Sequence, residues 1–147
     1  MKILAVDSRN SIGGWLIKLF TFSKWNHVAV MFEDTDRLDS NSVVDVTAAA
    51  GTRLISYYNF KQVYPRHVVI DVVVPDEKAG YDFAVAQAGK KYDWSGILGI
   101  IFQSRKWEDD DKWFCAELVE ATCIAAGRRR FRSEISGVLP RESYAVY

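Results

Sequence analysis

The sequence predicts one α+β domain, an antiparallel sheet packed with helices, that spans residues 1–147. Short runs of branched and aromatic residues, separated by polar turns, predict several strands. Stretches in which apolar residues recur at helical spacing lie before and after these runs. The chain contains no internal repeat, linker or low-complexity segment that would divide it.

The strand signals lie mainly in the first half of the chain. Five runs predict strands, at residues 2–7, 25–32, 42–48, 51–57 and 66–74. The second and third runs predict a hairpin with a long polar connection. The last run carries the strongest strand signal, and Pro75 ends it.

Four stretches are predicted to be helical, at residues 12–22, 77–88, 97–102 and 113–127. Ser11 can cap the first, and Asp76 and Gly89 can begin and end the second. Gly127 is a natural end for the last helix, and the arginines at 128–132 suit the negative end of its dipole as a solvated helix end.

The helix at 113–127 is amphipathic in the sequence. Leu118, Val119 and Thr122 share one apolar face. Glu117 and Glu120 lie on the other face, which is the expected polar one. This pattern predicts that the helix packs on the sheet through its apolar face.

Composition excludes several classes of partner. Lys and Arg together number 19, and so do Asp and Glu, so no overall field favours nucleic acid or an anionic membrane. The first apolar run is too short for a signal peptide, and residues 97–102 are far too few to span a membrane. The two cysteines, eight residues apart on one predicted helix, cannot form a disulfide and indicate reduced thiols in a cytoplasmic protein.

Cys115 falls in the first turn of the last predicted helix. Unpaired backbone N–H groups and the positive end of the dipole there favour a thiolate, the nucleophilic form. Trp113 and Phe114 in front of it would shield the site from water. The structural alternative is a small buried hydrophobic residue, as most free cysteines are. We expect Asp109–Asp111 to cap the helix start; clustered near the thiol, they would oppose its ionisation.

A cysteine nucleophile needs a base, and the base needs a group that orients it. Strand periodicity places His27 on one face of its strand, and Asp45 and Thr47 on one face of the neighbouring strand. If the two faces coincide, Asp45 lies within reach of His27. Thr47 becomes the third residue if the hairpin register slips by two.

The order His, Asp, Cys, with these local sequences, resembles the circularly permuted papain-like (NlpC-type, YiiX-like) cysteine peptidases and amidases. The matching segments are His27–Val30, Val43–Asp45 and Phe114–Val119. Gly89–Trp94 is similar to the Gly-x-x-Tyr-Asp-Trp segment of that superfamily, whose tyrosine lies near the cysteine. Ala116 stands where relatives usually have serine. The resemblance covers most of the chain, from about residue 7 to residue 127.

The resemblance implies a permuted papain-like fold and a cysteine hydrolase that cleaves amide bonds through a thioester. It implies a peptide, peptidoglycan stem peptide or other acyl-bearing substrate, and a bacterial or phage-encoded protein. Cys115, His27 and Asp45 would be catalytic, with the Tyr92 hydroxyl as an oxyanion donor and Trp113 at the substrate. Two alternatives stay open: an acyltransferase acting on lipids or small molecules, and a non-catalytic binding module.

Other arrangements of these side chains are weaker. His67 is an alternative base, although it lacks an evident carboxylate partner. Cys123 lies two turns below Cys115 and is expected in the core. A zinc site made of both histidines and both cysteines is disfavoured because no pair has the usual close spacing. We therefore expect no metal and no cofactor.

Overall fold

Seven strands and three helices make up the described part of the chain, residues 1–8, 24–33, 41–93 and 112–130 of the computed structural model. The strands are β1 (Lys2–Val6), β2 (His27–Phe32), β3 (Ser42–Thr47), β4 (Gly51–Ser56), β5 (His67–Asp71), β6 (Lys91–Tyr92) and β7 (Lys112–Trp113). The helices are α1 (Tyr57–Val63), α2 (Glu77–Ala86) and α3 (Cys115–Ala125). The predicted helices at 12–22 and 97–102, and the acidic run Asp109–Asp111, lie outside the described residues.

Five of the strands form an antiparallel sheet in the order β4-β3-β2-β1-β5, which confirms the predicted α+β class. The predicted hairpin is β2 and β3, with Val30 opposite Val44 and Met31 opposite Val43. The strand prediction at 66–74 is too long, because β5 ends at Asp71, opposite Lys2. Beyond that pair β1 offers few further partners, so the chain leaves the sheet and Val73 is 82% exposed.

The sheet is buried on both faces, which explains why its strands read as nearly continuous apolar runs. One face packs against α3 through Ile3, Ala5, Val28, Val30, Val44, Val46, Leu118 and Val119. The other face packs against α1 through Leu4, Val6, Ala29, Met31, Val43 and Phe60. Burial of such side chains supplies most of the stabilisation of the fold.

Helix α1 was not predicted from the sequence. Its first residues are aromatic, a class with modest helix propensity, and Phe60 is its one fully buried side chain among the described residues. The local signal is Ser56, whose hydroxyl accepts from the Asn59 N–H at 3.3 Å and so caps the helix start.

Helix α2 begins after Asp76 as predicted, but it ends at Ala86, before the predicted end at residue 88. Helix α3 begins at Cys115 and not at residue 113, because Trp113 pairs in β7, and Gly127 follows its end as predicted. Asp76 accepts from the Ala79 N–H at 2.9 Å at the start of α2. At the end of α3, Gly127 adopts a φ of 83°, and the Arg128 N–H donates to the Cys123 carbonyl at 2.8 Å. This is the Schellman arrangement, in which a left-handed glycine lets the following N–H groups satisfy the last helix carbonyls. None of the described helices has the length and apolarity needed to cross a membrane.

The prediction of a polar helix face and a solvated arginine segment is wrong for Glu120 and Arg130, whereas Arg129 is exposed as predicted. Glu120 Oε1 lies 2.9 Å from Arg130 Nη2, and each side chain is only 1% exposed. The segment after α3 returns to cover Glu120, which periodicity within the helix cannot reveal. Burial raises the pKa of Glu120 to about 7, although the Arg130 guanidinium opposes the shift.

We expect Glu120→Gln to remove one step in the pH dependence of stability. A carboxyl whose pKa is higher in the folded than in the unfolded state favours folding when protonated. Stability therefore falls as the pH rises from 4.5 to about 7. The loss is at most about 3 kcal/mol. Urea unfolding at several pH values measures it, with Glu117→Gln as the matched control. Parallel profiles for wild type and Glu120→Gln would refute the assignment.

Candidate active site

Cys115 is the first residue of α3 and is almost completely buried, with 2% of its surface exposed. Phe114 precedes the helix, and its N–H donates to Glu117 Oε2 at 3.3 Å. Glu117 thus places a carboxylate in the first turn of α3. As the first helical residue, Cys115 has a backbone N–H with no acceptor inside the helix, so that N–H can face a developing negative charge.

His27 is the first residue of β2, opposite Val6 of β1. The preceding residue, Asn26, is buried and joined twice to Ser8. Its side-chain oxygen accepts from the Ser8 N–H at 2.8 Å, and its amide nitrogen donates to the Ser8 carbonyl at 2.8 Å. These bonds fix the backbone immediately before the imidazole.

The hairpin register brings His27 and Asp45 together. Continuing the observed pairs places Asp45 opposite Ala29, on the same face as His27. His27 Nε2 lies 3.7 Å from Asp45 Oδ2, beyond ordinary hydrogen-bond length, and has no hydrogen-bond partner among the described residues. Thr47 is used elsewhere, because its hydroxyl accepts from the Ala50 N–H at 3.1 Å.

The pKa of His27 depends on both Asp45 and Cys115. Burial lowers the pKa of His27, but Asp45 and the Cys115 thiol together raise it by more, to about 9. Because Nε2 faces Asp45, Nδ1 is the ring nitrogen available to the Cys115 thiol. The imidazole therefore lies between a carboxylate and a thiol, as a base and its orienting group require.

Arg53 is part of the site and was missed in the sequence. It stands directly opposite Asp45 in the β3–β4 pairing. Its Nε donates to Oδ1 at 2.7 Å and its Nη2 donates to Oδ2 at 3.1 Å. Burial raises the pKa of Asp45, but His27 and Arg53 lower it by more, so the carboxylate stays ionised. The short connection between Thr47 and Gly51 sets the β3–β4 register, and it is the feature of the sequence that could have predicted the pairing of Arg53 with Asp45.

Tyr64 and His67 complete the surroundings of His27. The Tyr64 ring lies 5.1 Å from the His27 ring, and burial raises the pKa of Tyr64 to about 12. The Tyr64 carbonyl accepts a hydrogen bond from His67 Nδ1 at 2.7 Å, and His67 Nε2 lies 2.8 Å from the Tyr57 hydroxyl. His67, the alternative base in the sequence, thus has both ring nitrogens engaged in holding α1 to β5.

Tyr92 and Trp113 pair across β6 and β7 but have different surroundings. Tyr92 packs near Phe114, with ring centres 6.3 Å apart, and burial followed by the charge of Cys115 raises its pKa. Tyr92 therefore keeps its proton and can donate near Cys115. Trp113 contacts α2 instead, since its Nε1 donates to Gln87 Oε1 at 3.2 Å.

Gly51 lets the start of β4 approach the turn that leads to Tyr92. The Thr52 N–H donates to the Lys90 carbonyl at 2.8 Å, and the Gly89 N–H donates to the Thr52 carbonyl at 2.8 Å. A Cβ at Gly51, where φ is 66°, would lie 2.3 Å from the Lys90 oxygen.

We expect Gly51→Ala to destabilise the protein by about 3 kcal/mol, because it combines left-handed backbone strain with a clash against backbone. Gly89→Ala is the matched control, since Gly89 has a φ of 89° but no heavy atom within 4 Å of its Cβ position. It should cost about 1 kcal/mol. Chemical denaturation measures both, and equal losses would contradict the close-contact explanation.

No group of three or more His, Cys, Asp or Glu side chains that could hold a metal ion occurs within the described ranges. Cys123 lies in the core beside α3's other buried residues, and burial raises its pKa to about 12. The predicted residues His27, Asp45, Cys115 and Tyr92 come together, whereas Trp113 contacts α2.

No protein-family model matches the chain, and a search of curated proteins finds no match.

Proposed function

We propose that the protein is a cysteine hydrolase of amide bonds with a circularly permuted papain-like fold. The observation that carries the proposal is the position of one imidazole, His27, between a buried carboxylate 3.7 Å away and a thiol at a helix start. Cys115 is the nucleophile, His27 the base and Asp45 the group that orients the imidazole.

The order of the elements supports the permuted fold. The histidine comes from β2, the carboxylate from the next antiparallel strand, and the cysteine from a later helix packed on the same sheet. This is the arrangement expected from the resemblance to NlpC-type proteins.

The mechanism follows from these positions. His27 Nδ1 takes the proton from the Cys115 thiol, and Sγ forms a bond to the substrate carbonyl carbon. The oxyanion accepts from the Cys115 N–H and the Tyr92 hydroxyl. The C–N bond breaks as His27 returns the proton to the leaving amine, which leaves a thioester on Cys115. His27 then removes a proton from water, and the water oxygen forms a bond to the thioester carbon. The C–S bond breaks and His27 returns the proton to Sγ, which releases the carboxylic acid and restores the thiol.

The substrate class is an amide of a peptide, such as a peptidoglycan stem peptide, or an amide on a protein side chain. The enclosed position of Cys115 favours a narrow acyl group, because only 2% of that residue is exposed. Bulky carbonyl groups would require neighbouring side chains to move.

Reaction with p-nitrophenyl acetate tests the proposal without knowledge of the natural substrate. We expect one acetyl group on Cys115, detected by intact-mass and peptide mass spectrometry, and slow release of acetate by water. Cys123→Ala should retain the acetylation and Cys115→Ala should lose it. Transfer to an added alcohol or amine in preference to water would indicate an acyltransferase. No acetylation of Cys115 above the rate for free cysteine would favour a binding module.

A further inference from the structure

Asp45 is bound more closely by Arg53 than by His27. The guanidinium donates to both carboxylate oxygens, at 2.7 and 3.1 Å, whereas His27 Nε2 stands 3.7 Å from Oδ2. Such two-point pairing fixes the plane of a carboxylate as well as its position. The Asp45 side chain is completely buried, and the Arg53 side chain is 32% exposed.

Asp45 Oδ2 accepts a hydrogen bond from Arg53 Nη2 and is also the oxygen that lies nearest to His27 Nε2. The Arg53 guanidinium therefore balances much of the negative charge of Asp45 independently of the imidazole. An arginine in a protein remains charged at all working pH values, so this balance is permanent.

We propose that Arg53 is a positioning residue that neutralises Asp45, so that Asp45 orients His27 as a dipolar acceptor and not as a full counter-ion. The proposal rests on the proposed function, because it concerns the same imidazole. Arg53 acts through Asp45 and does not touch the reacting atoms.

The physical reason is the need for His27 to release its proton. A base that must donate to a leaving amine and then activate water cannot hold its proton too tightly. An isolated buried carboxylate beside the ring would strengthen that hold, whereas a carboxylate paired with a guanidinium supplies orientation with little net charge.

The two tyrosines near His27 and Cys115 are uncharged, so the charge balance around the imidazole is set by Asp45, Arg53 and Cys115. Tyr64, the residue that follows α1, lies against the His27 ring and is protonated, since burial raises its pKa to about 12. Tyr92 on β6 lies near Cys115 and is also protonated, with Asp93 and Glu117 acting on it.

Four variants test the proposal: Arg53→Gln, Arg53→Lys, Asp45→Asn and the double variant Asp45→Asn/Arg53→Gln. The first readout is the titration of the His27 ring by NMR, assigned against His27→Gln. The second is the pH profile of thioester hydrolysis after acetylation, a step that needs neutral His27.

Arg53→Gln should raise the pKa of His27 and move the hydrolysis profile to higher pH, each by about one unit, or tenfold in proton affinity. Arg53→Lys should keep the wild-type titration because it keeps the charge. Asp45→Asn should lower the pKa of His27. The double variant, a neutral pair in place of an ion pair, should return the titration toward wild type.

The proposal is overturned if Arg53→Gln leaves the titration and the profile unchanged or lowers them. If Arg53→Gln does not fold, the double variant is compared with Asp45→Asn alone. In that comparison, adding Arg53→Gln must raise the pKa of His27. A merely structural role predicts lost stability without either shift. If wild type forms no thioester, the proposed function fails, and the NMR titration still decides the role of Arg53.

Discussion

Replacing His27 with alanine is expected to slow acetylation of Cys115 by p-nitrophenyl acetate by about 10²- to 10⁴-fold near neutral pH. Without the imidazole, the thiol has no adjacent proton acceptor and reacts mainly as the weakly nucleophilic neutral form. The measurement is the release of p-nitrophenol in the first turnover, with Cys123→Ala as the background so that one thiol is followed.

His67→Ala is the matched control for this experiment. His67 is the other histidine of the chain, and its ring nitrogens contact Tyr57 and the Tyr64 carbonyl. Its loss should reduce stability and change acetylation by less than about tenfold. A loss of acetylation in His67→Ala that equals the loss in His27→Ala would contradict the assignment of the base.

A second large effect is expected in the pH dependence of stability. The pKa of His27 is raised in the folded protein from 6.5 to about 9. A histidine with a raised pKa stabilises the fold fully below its unfolded pKa, and the contribution is lost as pH rises through the folded value. The stability of wild type should therefore fall between pH 6.5 and 9, by at most about 3 kcal/mol.

His27→Gln should remove this loss while keeping the loss at lower pH that Glu120 causes. Urea unfolding across the range separates the two windows, because one ends near pH 7 and the other begins near pH 6.5. His67→Gln provides the comparison for a histidine outside the proposed catalytic group. If His27→Gln and wild type lose stability in parallel above pH 6.5, His27 does not carry the raised pKa.

The parts of the site that were predicted from sequence depend on local patterns. Strand alternation places His27 and Asp45 on one sheet face once the hairpin is recognised, and a helix start places Cys115 in the first turn. Each of these statements needs only one element or two neighbouring ones. The α+β class follows in the same way from the runs of strand and helix signals.

The parts that were missed depend on register or on distant segments. Arg53 joins the site because a short turn after Thr47 sets the β3–β4 register. Tyr64 joins it because α1, a helix with weak propensity, packs on the sheet. Glu120 is buried because Arg130 folds back onto it, and the pattern within α3 describes only the helix itself.

The most direct test of the account is the rate at which iodoacetamide alkylates Cys115 between pH 5 and pH 9, in Cys123→Ala with and without His27→Ala. We expect the parent to react at pH 6 at least about tenfold faster than the His27 variant, because only the parent has a proton acceptor beside the thiol. Such a result would establish a thiolate held by an imidazolium. Equal rates in both proteins, following the pH dependence of free cysteine, would contradict the account and favour a binding module of the same fold.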